Sequence, residues 1–383
     1  MSYEIKLNRF TLKDELAANA LSIGFKGKKT FEEIRANIEI ALSQNPLTCS
    51  KVVLNDGVPY FEKIDRPNIN FEAVTQTDKV WITKQYSKPL NIGEGELLRF
   101  ALVGENTFVI YYHPIISDSR GMVTFARRII SGDLESPTEF YFPEITDTKL
   151  SLIDKQVKRS LVKAKKTDVV FDEETEPSSI KLKSVSLKSD IVYRICSAEN
   201  ITMLSFFITT ALSLNKTKRK KLLIPYCRKN NNEDSLINDS VLFSFKRGFE
   251  PRLSFYDNGG EIDKLFESII IKKSYEKRET ILEGISQENL NNSTKIQKLY
   301  DFLHADLMFD VLTSIDEDDI INTMNYYPSS SYVTNNFGIS AVGGRLIIST
   351  VLHNKEGEEF FGIFSTTINL LAKEAAKRFK DLK

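Results

Sequence analysis

The sequence predicts a mixed α/β protein, and three observations support this class. The stretch 108–130, FVIYYHPIISDSRGMVTFARRII, begins with five apolar or aromatic residues, continues through a polar loop and ends with apolar residues at helical spacing. Strand and helix alternate again later, where a helical pattern over residues 199–214 precedes the apolar strand 222–224. With 383 residues, the chain can form two domains or one large two-lobed unit.

The first half contains a helix, a hairpin and a pair of strands. Thr30 and Glu33 form a capping box at the start of the helix, and Pro46 ends it because proline disfavours helical geometry in the residue before it. The apolar face of this helix consists of Phe31, Ile34, Ile38, Ala41 and Leu42. Residues 51–61 read as a hairpin with a turn at 55–57. A glycine-bearing loop and strand over residues 89–103 precede the strand that begins at residue 108, and the two strands are expected to pair.

Residues 131–185 differ in composition from the segments on either side and are expected to connect two halves of the chain. They carry three prolines and an acidic run at 172–174, with a partly helical pattern near 150–163. The sequence thus suggests a first lobe over 1–165, a linker over 166–185 and a second lobe over 186–383. The second lobe is expected to contain helices at 199–214, 261–273, 293–315 and 365–379, strands at 331–342 and 345–351, and a turn at 354–357.

Composition excludes several classes of function. Lys plus Arg equals Asp plus Glu at 52 each, which argues against a nucleic acid or an acidic membrane as the main partner. Cys49, Cys196 and Cys227 are far apart and the chain has three histidines, so neither a disulfide framework nor a metal cluster is expected. The N-terminus has no signal-peptide pattern and no apolar stretch is long enough to span a bilayer, which favours a cytoplasmic location. Neither a Gly-x-Ser-x-Gly elbow nor a glycine-rich nucleotide-binding motif is present.

Four segments, in order, resemble the condensation-domain superfamily, which also holds chloramphenicol acetyltransferase and the stand-alone alcohol O-acyltransferases. The helix end at 44–47, QNPL, is similar to the end of the family's first helix, and 89–99 is similar to its PL…G.LLR segment. Residues 113–119, HPIISDS, stand where the family has His-His-x-x-x-Asp-Gly. Residues 333–338, VTNNFG, resemble its late Ser-Asn-x-Gly strand.

The resemblance implies a fold and a chemistry. The fold would be two chloramphenicol-acetyltransferase-like lobes forming a V, with a tunnel between them. A thioester donor, either acyl-CoA or the phosphopantetheine arm of an acyl or peptidyl carrier protein, would enter from one side and a small alcohol or amine from the other. The second motif histidine would take a proton from the acceptor, with no bound cofactor. A monomer or a homodimer is expected, because one chain of this length can hold both lobes.

The register of the motif places a proline at the position of the base. Apolar residues follow Asp118 at positions +4, +7, +8 and +11, which is the core face of a helix, so Asp118 takes the motif Asp position. His113 then takes the first histidine position and Pro114 the second, and proline has no group that can accept a proton. The alternative register, with Ser117 at the Asp position, would give His113 the role of base but would displace the helical face.

The candidate site residues follow from this alignment. His113 and Asp118 are the candidate catalytic pair, although His113 is equally interpreted as a hydrogen-bonded core residue and Asp118 as a loop anchor. The other candidates are Ser117, Thr334, Asn335 and Asn336 for substrate binding and, in structural roles, Pro114 and Arg228. Thr334, Asn335 and Asn336 are equally interpreted as caps of strand ends, and Arg228 is a candidate partner for Asp118. His304, on an expected helix, and His353, in an expected exposed hairpin, are interpreted as structural.

Two functions therefore compete. The first is an acyltransferase of the condensation type with an altered base. The second is a catalytically inactive relative that binds a carrier protein, a partner enzyme or a ligand. The loss of the second histidine favours the second function, whereas the presence of His113 and Asp118 in the same loop favours the first.

Overall fold

A computed structural model describes residues 2–4, 18–55, 58–134, 180–216, 218–227, 240–271, 304–312, 320–330 and 332–380. In the described part, the protein has a mixed α/β fold with three β-sheets and seven α-helices. No single described helix is long and apolar enough to cross a membrane, and only the bent pair formed by 189–198 and 203–213 together passes that test of length and composition.

The strands and helices are numbered in chain order. Before residue 135 the strands are β1 (Ser2–Glu4), β2 (Asn19–Phe25), β3 (Ser50–Asn55), β4 (Val58–Lys63), β5 (Phe71–Val74), β6 (Leu98–Val103) and β7 (Thr107–Tyr112), and the helices are α1 (Phe31–Ser43), α2 (Asp78–Tyr86) and α3 (Ser119–Ser131). From residue 180 the strands are β8 (Lys181–Lys188), β9 (Lys220–Cys227), β10 (Ser240–Arg247), β11 (Ala305–Val311), β12 (Ile321–Tyr327), β13 (Val333–Val342) and β14 (Arg345–Leu352). The helices of this half are α4 (Ser189–Ala198), α5 (Met203–Ser213), α6 (Phe255–Ile271) and α7 (Lys355–Lys380).

The first large sheet has the order β12-β2-β7-β6-β5 and builds the first lobe. Helices α1 and α3 pack on one face of this sheet, and α1 begins with both bonds of the capping box between Thr30 and Glu33. Helix α2 packs on the other face, where Trp81 and Ile82 meet Val109 and Tyr111 of β7. A separate three-stranded sheet, in the order β1-β4-β3, contains the expected hairpin.

The second large sheet has the order β10-β9-β11-β13-β14-β8 and builds the second lobe. Strand β11 lies in its middle, parallel to both β9 and β13. The aromatic rings of Phe309 and Phe337, which are partners in the β11–β13 register, stack with their centroids 4.8 Å apart. Helices α4, α5, α6 and α7 contribute to the apolar core on this face.

One strand of the second half belongs to the sheet of the first lobe. Strand β12 pairs antiparallel with β2, so the two lobes are tied by backbone hydrogen bonds as well as by side-chain packing. Strand β12 also lies directly against β13, and Gly338 of β13 makes this approach possible. A Cβ atom at position 338 would stand 2.1 Å from the carbonyl oxygen of Tyr326, which is closer than side chains tolerate.

The element predictions near the loop 113–118 are confirmed. Elsewhere, the helix expected over 199–214 begins only at Met203, after the end of α4, and two other elements differ in kind. Residues 305–311 form a strand rather than part of a helix over 293–315, because pairing with strands on both sides overrides the local helical pattern. Residues 354–357 are not a turn: the side chain of Asn354 accepts the Gly357 amide at 2.8 Å, and α7 begins at Lys355. The linker end expected at 185 falls inside β8, and the segment 150–163 lies outside the described residues.

Candidate active site

The loop 113–118 continues the ladder of the first sheet by one residue before it turns. Strands β6 and β7 pair antiparallel up to Leu98 and Tyr112, and the amide of His113 then donates to the carbonyl of Leu97 at 3.0 Å. Successive side chains of a strand point to opposite faces. His113 is therefore on the face of Tyr111, and Tyr112 is on the face covered by α1 and α3.

The imidazole of His113 is held by the backbone of its own loop. The residue is only 6% exposed, and its Nδ1 accepts a hydrogen bond from the Ile115 amide at 3.2 Å. In a neutral imidazole one nitrogen carries the proton and the other accepts. Because Nδ1 accepts, the proton of the neutral ring is on Nε2, so His113 is suited to donate a hydrogen bond and not to take a proton.

Pro114 has a structural explanation in the turn that follows. The amide of Ile116 donates to the carbonyl of His113 at 3.2 Å, which makes Pro114 the second residue of a four-residue turn. Proline is favoured at this position because its ring presets the required φ angle. Pro114, which the motif register is expected to place at the position of the base, therefore stabilises the loop.

Asp118 and Ser117 connect the loop to the start of α3. The Oδ1 atom of Asp118 accepts the Gly121 amide at 2.9 Å and caps the helix, where a negative charge also interacts favourably with the helix dipole. Ser117 is fully buried, and its hydroxyl donates to the carbonyl of Asp118 at 3.0 Å. Asp118 thus anchors the loop through a backbone amide. Arg228, its candidate partner, lies outside the described residues.

The three candidates on β13 make hydrogen bonds near the start of β11. Thr334 Oγ1 lies 3.1 Å from His304 Nε2, and the Asn335 amide donates to the carbonyl of Asp306 at 3.4 Å. His304 immediately precedes β11 and is not on a helix. Asn336 is fully buried, and its Oδ1 has no hydrogen-bond partner among the residues that the structure describes. A buried amide oxygen without a partner is costly, so Asn336 is a natural position for a ligand hydrogen-bond donor.

His353 is half-buried rather than part of an exposed hairpin. It directly follows β14, and its Nε2 lies 3.4 Å from the hydroxyl of Ser329. Burial lowers the pKa of His353 to about 4, so its ring is neutral at physiological pH.

Arg99 gives the family-like segment 89–99 of the first lobe a structural role. Its guanidinium makes a bidentate pair with Glu96, at 2.8 Å and 2.7 Å, and also donates to the carbonyls of Lys88 and Pro89. Arg99 lowers the pKa of Glu96 through these hydrogen bonds. This arginine therefore anchors the loop 88–96 against the sheet.

A carboxylate that the sequence did not single out lies beside the start of α3. Asp310 of β11 accepts hydrogen bonds from Tyr326 at 2.8 Å and from Ser119 at 3.3 Å, so it joins strands of both sheets to the end of the loop. Part of the residue reaches the surface, but burial of the carboxyl raises the pKa of Asp310 to about 6, and the charge of Asp118 contributes to the increase. Asp310 was missed at the level of the sequence because the pattern there predicted a helix over 293–315. Only a strand at this position places Asp310 on the face toward the loop.

No group of three or more His, Cys, Asp or Glu side chains among the described residues is arranged to hold a metal ion. The described site is therefore a set of hydrogen-bonding side chains around one loop: His113, Ser117 and Asp118 within it, and Asp310, Tyr326 and Asn336 from the second half of the chain.

Comparison with known proteins establishes the fold. No family model and no curated protein sequence matches the chain. Among solved structures, the first condensation domain of the CDA synthetase matches with a TM-score of 0.68 at 12% identity, over 98% of this chain and 96% of that one. Polyketide synthase associated protein 5 from Mycobacterium tuberculosis matches with a TM-score of 0.62 at 12% identity, over 98% and 100% of the two chains.

A third similar structure contains a ligand. A variant starter condensation domain of rhizomide synthetase RzmA, in complex with C8-CoA, matches with a TM-score of 0.62 at 11% identity, over 98% of this chain and 95% of that one. The resemblance seen in the sequence and the predicted fold class, two chloramphenicol-acetyltransferase-like lobes, are thus confirmed at the level of the fold.

Proposed function

We propose that this protein binds an acyl thioester between its two lobes and transfers the acyl group to a small alcohol or amine. The observation that carries the proposal is the condensation-domain fold over 98% of the chain, combined with the intact β7–loop–α3 arrangement in which Asp118 caps the helix. The donor would be acyl-CoA or the phosphopantetheine arm of a carrier protein. The C8-CoA complex of a structurally similar domain supports a thioester of this kind.

His113 acts in this proposal as a hydrogen-bond donor. Its Nδ1 is engaged by the Ile115 amide, so Nε2 presents an N–H that can stabilise the negative charge on the thioester oxygen during acyl transfer. Removal of a donor such as the His113 N–H typically costs about 100- to 1,000-fold in turnover. Asn336 supplies a hydrogen-bond acceptor rather than a second donor, because its buried Oδ1 has no partner among the described residues and can receive an N–H or O–H group of the substrate.

The alternative is a catalytically inactive protein that binds a carrier protein, a partner enzyme or a ligand in the same place. One observation favours it: the accepting nitrogen of His113 is already bonded within the loop. In the expected motif register, Pro114 also takes the position of the base. General-base assistance is typically worth about 100- to 10,000-fold, so its loss would leave binding intact and turnover slow.

Thioester turnover separates the two functions. The natural chain, His113→Ala and Pro114→His should be assayed for thiol release from acyl-CoA substrates of several chain lengths and from an acyl carrier protein, with a broad panel of alcohols and amines. Acceptor-dependent thiol release that falls in His113→Ala supports the acyltransferase. Equal rates in the natural chain and His113→Ala would remove His113 from the mechanism.

Binding is measured separately by calorimetry with a non-reactive thioether analogue of acyl-CoA. Binding without turnover in the natural chain, with turnover appearing in Pro114→His, would establish the inactive alternative. Neither binding nor turnover with any donor would contradict both functions.

A further inference from the structure

We infer that the basic end of the second sheet, formed by Lys218, Arg219, Lys221 and Lys246, binds the phosphate groups of CoA. This inference rests on the proposed acyl transfer and names its donor as acyl-CoA rather than an acyl carrier protein. Three observations carry it: the concentration of positive charge, the face of the sheet on which the cations lie, and their distance from Asn336.

The first observation is the positive charge where β9 begins and β10 ends. Residues 216–221, KTKRKK, place five cations just before and at the start of β9. The antiparallel register sets Lys246 of β10 directly opposite Lys221, and like charges in such a pair destabilise a sheet. Lys218, Arg219 and Lys246 are exposed. An anion bound between these side chains would remove the repulsion.

The nearby carboxylate of Asp306 does not neutralise this end of the sheet. Its Oδ2 accepts the Lys221 amide at 2.6 Å, and its Oδ1 lies 3.8 Å from Lys220 Nζ. Lys218, Arg219 and Lys246 form no ion pair with any residue that the structure describes. A surface with such an excess of positive charge attracts phosphate groups, and lysine and arginine bind them through charge-assisted hydrogen bonds.

The second observation is the face of the sheet. The register places Leu223, Met308 and Asn336 in one row across β9, β11 and β13. Lys221 lies two residues before Leu223, and side chains two residues apart on a strand share a face. Lys246 shares this face because it is paired with Lys221. Helices α4 to α7 contribute to the core on the opposite face, so the cations and Asn336 lie together on the face without these helices.

The third observation is the distance between the cations and Asn336. Two strand spacings and two residues along the strand separate Lys221 from Asn336, which gives about 12 Å between their Cα atoms. CoA has a diphosphate and a 3′-phosphate at one end and its sulfur at the other end of a long pantetheine arm. The phosphates can therefore contact the basic end while an amide N–H of the arm donates to the unpartnered Oδ1 of Asn336.

The row of Asn336 also leads to the first lobe. Val351 of β14 is paired with Asn336, and it packs in the apolar cluster that contains Tyr111. Tyr111 lies on the same face of the first sheet as His113. An arm that extends from the basic end past Asn336 is therefore directed toward the place between the lobes where the thioester is proposed to bind.

The charge of the basic end fits CoA better than a carrier protein. The arm of a carrier protein is attached through a phosphodiester, which carries less charge than the diphosphate and 3′-phosphate of CoA. The cations are concentrated at two adjacent strand ends, which suits a small polyanion. The whole chain has equal numbers of basic and acidic residues, 52 of each, so the basic end is a local feature and not part of a general polyanion-binding surface.

The test compares the binding of CoA and of pantetheine, which has the arm without the phosphates, by calorimetry. Lys246→Gln should weaken CoA binding about 10-fold, because a hydrogen bond to a charged group is lost. It should leave pantetheine binding unchanged. CoA binding to the natural chain should also weaken as the salt concentration rises, whereas pantetheine binding should not. Circular dichroism confirms that the variant is folded.

Arg247→Gln is the matched control, because it removes the same charge from the next residue of β10. Side chains alternate along the strand, so Arg247 lies on the face toward α6. There, the hydrogen bond from Lys264 lowers the pKa of Glu261, and the charge of Arg247 contributes to this effect. The control should change CoA affinity by about 2-fold or less at physiological salt, because charges remote from the ligand are screened.

Turnover gives a second readout. The KM for acyl-CoA should rise in Lys246→Gln, whereas the KM for the corresponding N-acetylcysteamine thioester, which has no phosphate, should not change. Equal CoA affinities of Lys246→Gln and Arg247→Gln, or equal affinities of the natural chain for CoA and pantetheine, would overturn the inference alone. Turnover with an acyl carrier protein but no binding of CoA would also overturn it and leave the acyl transfer in place. Absence of binding and turnover with every donor would overturn the proposed acyl transfer as well.

Discussion

Replacement of Gly338 by alanine should loosen the junction between the two lobes. The added Cβ would stand 2.1 Å from the Tyr326 carbonyl oxygen and 2.8 Å from Pro328 Cδ, whereas real Cβ contacts essentially never fall below 3.0 Å. The nearest atom belongs to the backbone, so it cannot withdraw as the end of a flexible side chain would. Strand β12 as a whole must move away from β13.

The cost follows from what this movement disturbs. Strand β12 is paired with β2 of the first lobe, and Tyr326 also donates to Asp310, so relief of the clash strains a backbone ladder and a buried hydrogen bond. Overpacking of a well-packed core typically costs 1–3 kcal/mol. We expect Gly338→Ala to lower the free energy of unfolding by about 3 kcal/mol, at the upper end of that range.

The assay is urea unfolding followed by tryptophan fluorescence and circular dichroism. Gly362→Ala is the control, because it lies within α7 with nothing near its added Cβ. A glycine in a helix interior costs about 0.5–1 kcal/mol relative to alanine, so the control should unfold at a higher urea concentration. An unfolding midpoint for Gly338→Ala equal to that of the natural chain would refute the claim that β12 and β13 are in fixed contact there.

Three further predictions concern charged groups. Arg99→Gln should lower the free energy of unfolding by about 3 kcal/mol at neutral pH by breaking a buried ion pair. Because the folded pKa of Glu96 is lowered, this difference should shrink as the pH falls through that pKa, which urea unfolding at several pH values would show. Asp118→Ala should lower the free energy of unfolding by about 1 kcal/mol, measured by thermal unfolding, because α3 loses its cap. Asp118→Asn should lower it less, because asparagine also caps helices, and equal effects of the two variants would contradict the capping role. Burial raises the folded pKa of Asp310 to about 6, so protonation of this carboxyl at lower pH should favour the folded state. As the pH falls from about 6 toward 4, the free energy of unfolding of the natural chain should rise by about 3 kcal/mol relative to that of Asp310→Asn. A fall in this difference over that pH range, measured by urea unfolding, would contradict burial of the carboxyl.

The features that the sequence predicted well are those set by neighbours in the chain. The capping box of α1, the strand–loop–helix over 108–130 and the β3–β4 hairpin depend on contacts within a few residues, so periodicity and turn residues were enough to find them. That position 114 of the motif loop holds a proline was likewise readable, because it is a matter of residue identity, and its replacement of a base stays a prediction. The hydrogen bond to His113 Nδ1 could not be predicted from the sequence, because it depends on how the loop folds back on itself.

Residue identities and local patterns by themselves determined that this chain has α/β lobes, a motif loop with His113 and Asp118, and a proline where a proton acceptor is expected. Only the tertiary structure decided that residues 305–311 form a central strand, that β12 joins the sheet of the other lobe, and that Asp310 meets Ser119. The physical reason is distance along the chain: Asp310 and Ser119 are 191 residues apart, and strand pairing between remote segments sets which faces meet.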